Sequence, residues 1–238
     1  MSSKTSSNAT EISFGLTGRV CIVTGGAQGI GEACIRRFAR ENARVVIADI
    51  DDVRGAALAS ELGGLFDHCD VGDKAQVDAL LSQTIAAHGR IDVLVNNAGI
   101  FKAADFLDIS EDDFDAVLRI NLKGSFLVGQ AVARAMSKAE VRESIGGSPS
   151  RGCIINMSSV NAAAPPGTIA TELAAKAVLT SIEAKAKIMS RTPMKRLGEP
   201  SEIADVVAWL VSDAASYVTG EIVTVDGGRM TLNYTVAV

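Results

Sequence analysis

Short apolar runs, bounded by glycine- or aspartate-bearing turns, alternate with stretches of helical spacing along most of the chain. Residues 19–24 form one apolar run that ends in glycines, and residues 43–48 form a second that ends at Asp49. Further runs stand at 64–71, 91–95, 153–157 and 221–225. Runs of this length that are apolar at consecutive positions predict strands buried on both faces. Helical patterns lie between them at 30–42, at 53–62 and from Asp73 onward, where Val77, Leu80, Leu81 and Ile85 share one face. Ser110 with Asp113 three residues on resembles a capping box and opens a long helix to about Lys138. A Gly/Ser/Pro-bearing loop follows at 141–150. Pro200 and Ser201 introduce a helix with Ile203, Val206, Val207, Leu210 and Val211 on one face. This alternation predicts an α/β domain, a doubly wound parallel sheet with helices on both sides. Residues 1–13 are rich in Ser and Thr without periodicity and read as a flexible tail, which leaves 14–238 as a single domain.

Composition narrows the function classes. Of the 238 residues, 47% are hydrophobic and 21% charged, enough for a packed core and incompatible with a disordered chain. No apolar run approaches the length of a membrane span, so no membrane partner is expected. The net charge of −5 without a basic run, with 4% aromatics, argues against nucleic acid as a partner. Cys21, Cys69 and Cys153 fall in strand-like runs and Cys34 in a helix-like one, with no CxxC spacing. They read as buried reduced thiols of a cytoplasmic protein rather than disulfides or metal ligands. His68 and His88 fit no metal spacing, so no metal site is expected. Glycosylation sequons begin at Asn8 and Asn233, but no apolar signal segment precedes them, and they read as coincidence.

The chemistry concentrates where the first strand runs into Thr24-Gly25-Gly26-Ala27-Gln28-Gly29-Ile30-Gly31 and then a helix. Glycines let backbone approach a pyrophosphate at a helix N-terminus, where free amides and the dipole favour anions. A tight turn would use the same residues, but Asp49 closes the next strand 18 residues after Gly31. A carboxylate there can accept both hydroxyls of an adenosine ribose. The spacing is G-x-x-x-G-x-G, accompanied by Asp70-Val71 after the third strand and Asn96-Asn97-Ala98-Gly99 after the fourth. With this set the chain, from residue 14 to about 230, resembles the short-chain dehydrogenase/reductase family in its shorter, nicotinamide-dependent form.

That resemblance implies a Rossmann-type fold, NAD as cofactor and hydride transfer between nicotinamide and a small-molecule alcohol or carbonyl substrate. It implies that Gly25, Gln28, Gly29, Ile30 and Gly31 line the pyrophosphate, and that Asp49 accepts the ribose hydroxyls. Asp70 and Val71 would flank the adenine, while Asn97, Ala98 and Gly99 support the cofactor and the central sheet. Asn121 matches the helix asparagine that holds a water in the proton relay, and Ser159 matches the serine that orients the substrate carbonyl. Residues 166–171 match the family's P-G-x-I/V-x-T segment, whose Ile169 and Thr171 would contact the nicotinamide carboxamide. A homo-oligomer, usually a tetramer, is also implied.

One departure cuts across this resemblance. The family's acid/base pair is Y-x-x-x-K, about a dozen residues after the serine. Here the tyrosines are Tyr217 and Tyr234, and neither has Lys four residues on. Glu172 with Lys176 mimics the spacing, but Glu172 directly follows the P-G-x-I-x-T match and so lies beyond the sixth strand. A crossover helix with its strand needs about 30 residues, whereas only Val160 to Pro165 separate Ser159 from Pro166. The domain is therefore expected to lack one helix and one strand after Ser159. A non-catalytic dinucleotide-binding or interaction protein is the alternative to an oxidoreductase.

Overall fold

A computed structural model of the chain describes residues 13–102, 104–142, 149–159, 169–177 and 181–230. Its strands are β1 (Val20–Thr24), β2 (Arg44–Asp49), β3 (Leu65–His68), β4 (Val93–Asn96) and β5 (Cys153–Asn156). Its helices are α1 (Gly29–Arg40), α2 (Asp52–Leu62), α3 (Lys74–His88), α4 (Glu111–Val117), α5 (Ser125–Lys138), α6 (Glu172–Ala177), α7 (Ile182–Met189) and α8 (Pro200–Leu210). The strands pair in parallel in the order β3-β2-β1-β4-β5. The expected tail and the junction at 160–168 lie outside the described residues, apart from Ser13.

Side-chain alternation along the strands feeds two cores. Cys21 and Val23 of β1, Val45 and Ile47 of β2, and Val93 and Val95 of β4 face one side, with α1, α2 and α8 over them. Val20, Ile22, Val46, Ala48 and Leu94 face the other, under α3 and α5. Complete burial of a Val, Leu or Ile side chain is worth about 1.5–3 kcal/mol, so these central strands carry much of the fold. The helix boundaries follow local chemistry. Asp51, Asp73 and Ser110 accept backbone N–H bonds at the starts of α2, α3 and α4, while Gly63 and Gly89 take left-handed conformations at the ends of α2 and α3. Glu199 and Glu202 form a reciprocal capping box at α8.

Three expectations need correction. The run at 64–71 is a strand only over Leu65–His68, so Cys69 sits just beyond it. The long helix from Ser110 is interrupted. Residues Leu118–Gly124 wind as a π-helix between α4 and α5, a distortion that a 3.6-residue periodicity cannot reveal. Residues 221–225 do not form a strand. A strand needs a neighbour for its N–H and C=O groups, and among the described residues no strand pairs with this segment. Ile222 is 87% exposed, and only Val225 packs on the core.

A buried ion pair ties the start of the domain to α1 and α8. The Glu41 carboxylate accepts from Ser13 Oγ at 2.6 Å, Phe14 N at 2.9 Å and Arg37 Nη1 at 2.8 Å. Arg37 Nε donates to Asp205 of α8 at 2.8 Å, and its guanidinium lies over the Phe14 ring. Burial opposes the charge on Glu41, but the bonds from Ser13, Phe14 and Arg37 prevail and hold its pKa below the ordinary 4.5. A depressed carboxylate contributes stability above its unfolded pKa and loses it as pH falls through the folded one. Glu41→Gln is therefore expected to cost about 1.5–3 kcal/mol at neutral pH, measured by urea titration. The deficit should shrink below pH 4.5, and a deficit that is independent of pH would contradict this account.

The other consequence is an open edge. Among the described residues no strand pairs with the outer side of β5. Cys153, Ile154 and Ile155 are half-buried, whereas every residue of β1 and β4 is buried. Unpaired edges and exposed apolar side chains recruit other chains. Light scattering is expected to give a mass above that of one chain; a monodisperse monomer with a sharp, high melting transition would contradict it.

Candidate functional site

The carboxyl ends of β1 and β4 meet where the strand order reverses, the position at which open α/β sheets place their crevice. Thr24 ends β1. Its Oγ1 accepts from the backbone N–H groups of Asn97 and Ala98 at 3.0 and 3.1 Å. Asn97 Nδ2 donates in return to the carbonyls of Thr24 and Gly25 at 3.0 and 3.1 Å. The glycine turn is thus pinned to the loop after β4. Gly25 and Gly29 adopt φ of 63° and 59°, which favours glycine. A Cβ on Gly31 would lie 2.0 Å from the Gly25 carbonyl oxygen, and one on Gly25 would lie 2.9 Å from Ala98 Cα. Gln28 precedes α1 in an extended conformation and makes no side-chain cap, and Ile30 packs partly buried on the core below.

Asp49 ends β2 and is 8% exposed. Its carboxylate accepts from Ala27 N at 2.9 Å and from Asp51 N at 3.0 Å. An ionised carboxylate offers about four lone-pair positions, so this one keeps acceptor capacity beside the turn. Arg54, whose Nε lies 3.6 Å from the Asp51 carboxylate, donates to Gln28 Oε1 at 2.8 Å and to Glu172 Oε1 at 3.2 Å. The Glu172 carboxylate thus meets α2 through Arg54.

Asp70 and Val71 are joined to the π-helical stretch. Asp70 Oδ2 accepts from Arg119 at 2.8 Å, and a Cβ on Gly124 would come within 2.6 Å of Val71. Asn121, inside the π-helix, bonds the main chain of Ile100 twice, donating to its carbonyl at 2.9 Å and accepting its N–H at 2.8 Å. Gly99 lies against the same amide. Ile169 forms a parallel bridge with Gly198, and the Thr171 side chain stands 3.5 Å from the place of a Cβ on Gly29. Ser159 is exposed, three residues past β5, at the sheet edge where all five strands end.

The structure therefore joins Gly25, Gln28, Gly29, Gly31, Asp49, Asn97, Ala98 and Thr171 by direct contacts around the turn. Asn121 and Gly99 lie one layer away. Sequence reasoning missed Arg119 and the structural use of Thr24. Thr24 belongs to the glycine motif and was legible there, whereas Arg119 needed the fold. The thiols offer no nucleophile: burial lifts Cys34 and Cys69 to about 12 and raises Cys21 and Cys153 as well. Among the described residues the tyrosine is Tyr217, which is fully exposed.

A family profile described as short chain dehydrogenase matches residues 19–187. The chain belongs to the short-chain dehydrogenase/reductase family. A second profile, described as enoyl-(acyl carrier protein) reductase, matches residues 159–230. This short-chain dehydrogenase/reductase is 37% identical to a 3-oxoacyl-[acyl-carrier-protein] reductase of Thermotoga maritima, with 90% of this chain and 98% of the relative covered. It is 34% identical to (+)-borneol dehydrogenase 1 of Salvia officinalis, with 95% and 99% covered. Among solved structures it is similar to a 3-ketoacyl-(acyl-carrier-protein) reductase from Brucella melitensis complexed with NADH, with TM-score 0.78, 26% identity and 90% and 99% coverage. A short-chain type dehydrogenase/reductase from Mycobacterium marinum gives TM-score 0.79, 28% identity and 91% and 97% coverage. No helix among the described residues is long and apolar enough to cross a membrane.

Gly31→Ala tests the packed turn. The added methyl must displace the Gly25 carbonyl, and overpacking of this kind typically costs about 1–3 kcal/mol. A drop in thermal midpoint is expected by calorimetry, and an unchanged midpoint would show that the turn relaxes freely.

Proposed function

We propose that this chain binds NAD at the carboxyl edge of its sheet and descends from oxidoreductases of alcohol or carbonyl substrates, but lacks their proton-transfer pair. The glycine turn carries this reading: Gly25 and Gly29 take φ of 63° and 59°, and Gly31 packs on the Gly25 carbonyl with no room for a Cβ, so the turn leads tightly into the N-terminus of α1, where free amides favour a pyrophosphate. Gly25, Gln28, Gly29, Ile30 and Gly31 would hold the pyrophosphate, and Asp49 would accept the ribose hydroxyls. Asp70 and Val71 would line the adenine side, with Asn97, Ala98 and Gly99 beneath. Ile169 and Thr171 would meet the nicotinamide carboxamide. Bound there, the cofactor supplies or accepts the hydride. Ser159 would orient the substrate carbonyl, and Asn121 braces the main chain at Ile100. The selectivity for NAD rests on Asp49, whose charge repels a 2′-phosphate. A cytoplasmic homo-oligomer is the setting we infer.

The loss of the acid/base pair has support beyond the tyrosine positions. This chain and the Thermotoga maritima reductase align over 245 positions with 90% of this chain included. Nine-tenths of 238 residues is about 214, so about thirty aligned positions have no counterpart here. A crossover helix with its strand is of that size. Positioned proton transfer is typically worth roughly 10²–10⁴-fold in rate.

Calorimetry is expected to show NAD binding, while NADH formation across sugars, polyols and secondary alcohols stays near background. Inserting a family-type tyrosine helix and strand after Ala162 should restore turnover. Robust turnover by the chain as it stands, abolished by Glu172→Gln, would overturn the missing-pair reading. Absence of NAD binding would overturn the dinucleotide reading itself.

A further inference from the structure

Arg54 brings three separate segments together beside Asp49. Its Nη1 donates to Gln28 of the glycine turn at 2.8 Å and to Glu172, the first residue of α6, at 3.2 Å. Its Nη2 lies 3.5 Å from the second Glu172 oxygen. On its own helix Asp51 caps the Arg54 amide at 3.0 Å, and the Asp51 carboxylate lies 3.6 Å from Arg54 Nε. Two backbone amides hold the Asp49 carboxylate, those of Ala27 and Asp51. The Arg54 guanidinium therefore contacts Asp51 and Gln28, the neighbour of Ala27. Arg54 and Asp49 occupy the same corner, one cationic and one anionic.

A bare arginine at that corner would attract a phosphate, since guanidinium–phosphate pairs are strong and geometrically matched. Here its charge is already engaged by a carboxylate from a segment more than a hundred positions away. We propose that Glu172 is a specificity-determining residue: by pairing with Arg54 it withholds the guanidinium from a 2′-phosphate and keeps the corner selective for a free ribose hydroxyl. This rests on the dinucleotide reading above and adds to it a second carboxylate, distant in sequence from Asp49. With Asp49, Asp51 and Glu172 around one Arg54, the corner carries a net charge of about −2 when all are ionised. Neutralising Glu172 removes one of the two carboxylates that face Arg54 and frees its guanidinium to offset the phosphate.

The test compares Glu172→Gln, Arg54→Gln and the double variant with the unaltered chain at low ionic strength, since exposed pairs are screened by salt. Binding of NAD and NADP is read by calorimetry, with 5′-AMP and adenosine 2′,5′-bisphosphate as probes of the adenosine half alone. Glu172→Gln is expected to raise affinity for NADP and for the bisphosphate about five- to tenfold, with NAD and 5′-AMP unchanged. The gain should vanish in the double variant. Equal loss of all four ligands in Glu172→Gln would make the pair a structural strap and overturn the proposal. Unchanged binding of the phosphorylated ligands would overturn it too. A chain that binds neither NAD nor 5′-AMP would remove the dinucleotide reading, and the proposal with it.

Discussion

Thr24 joins the two halves of the sheet at the one place where their connections diverge. From β1 the chain passes outward to β2 and β3, then returns to β4 on the other flank. The crevice this opens needs a floor, and four hydrogen bonds between Thr24, Gly25, Asn97 and Ala98 make it. Leaving such buried groups without partners would cost about 1–3 kcal/mol each. The shape of the glycine turn, the start of α1 and the clearance above both follow from that floor.

The half of the crevice proposed for the adenosine is built almost wholly from the first four strands and the turns that follow them. Its parts lie close in sequence and hold one another: Ala27 and Asp51 fix Asp49, and Asn97 fixes Gly25. The opposite half depends on chain far downstream, where Ile169 reaches Gly198 and Thr171 reaches Gly29. The proposed shortening between Ser159 and Pro166 would therefore fall on one half alone. Among the described residues β5 has no partner on its outer side and residues 221–225 form no strand, as that shortening would require.

What was legible in the sequence follows the same division. Strands buried on both faces and turns rich in glycine announce themselves locally, so β1, β2 and β4, α1 and α2, and the residues of the turn could be read directly. Asn121 was legible as a residue but not its setting, because a π-helix leaves no periodic trace. Arg119 was invisible for another reason, as its partner Asp70 lies 49 positions away. The strand at 221–225 failed because strand propensity expresses itself only through a partner. α6 and α7 were missed because they are short and their apolar spacing is weak.

The bond from Arg37 to Asp205 spans 168 positions of chain. α1 is among the first helices to leave the ribosome, and α8, which covers its apolar side, is among the last. At typical elongation rates the nascent domain holds that side open for about 10–30 s. Through that interval the Arg37 guanidinium lacks its distal carboxylate and the apolar side of α1 stays uncovered. Cotranslational assembly of this fold is therefore a problem of waiting, and a holdase that shields α1 until α8 emerges fits the need.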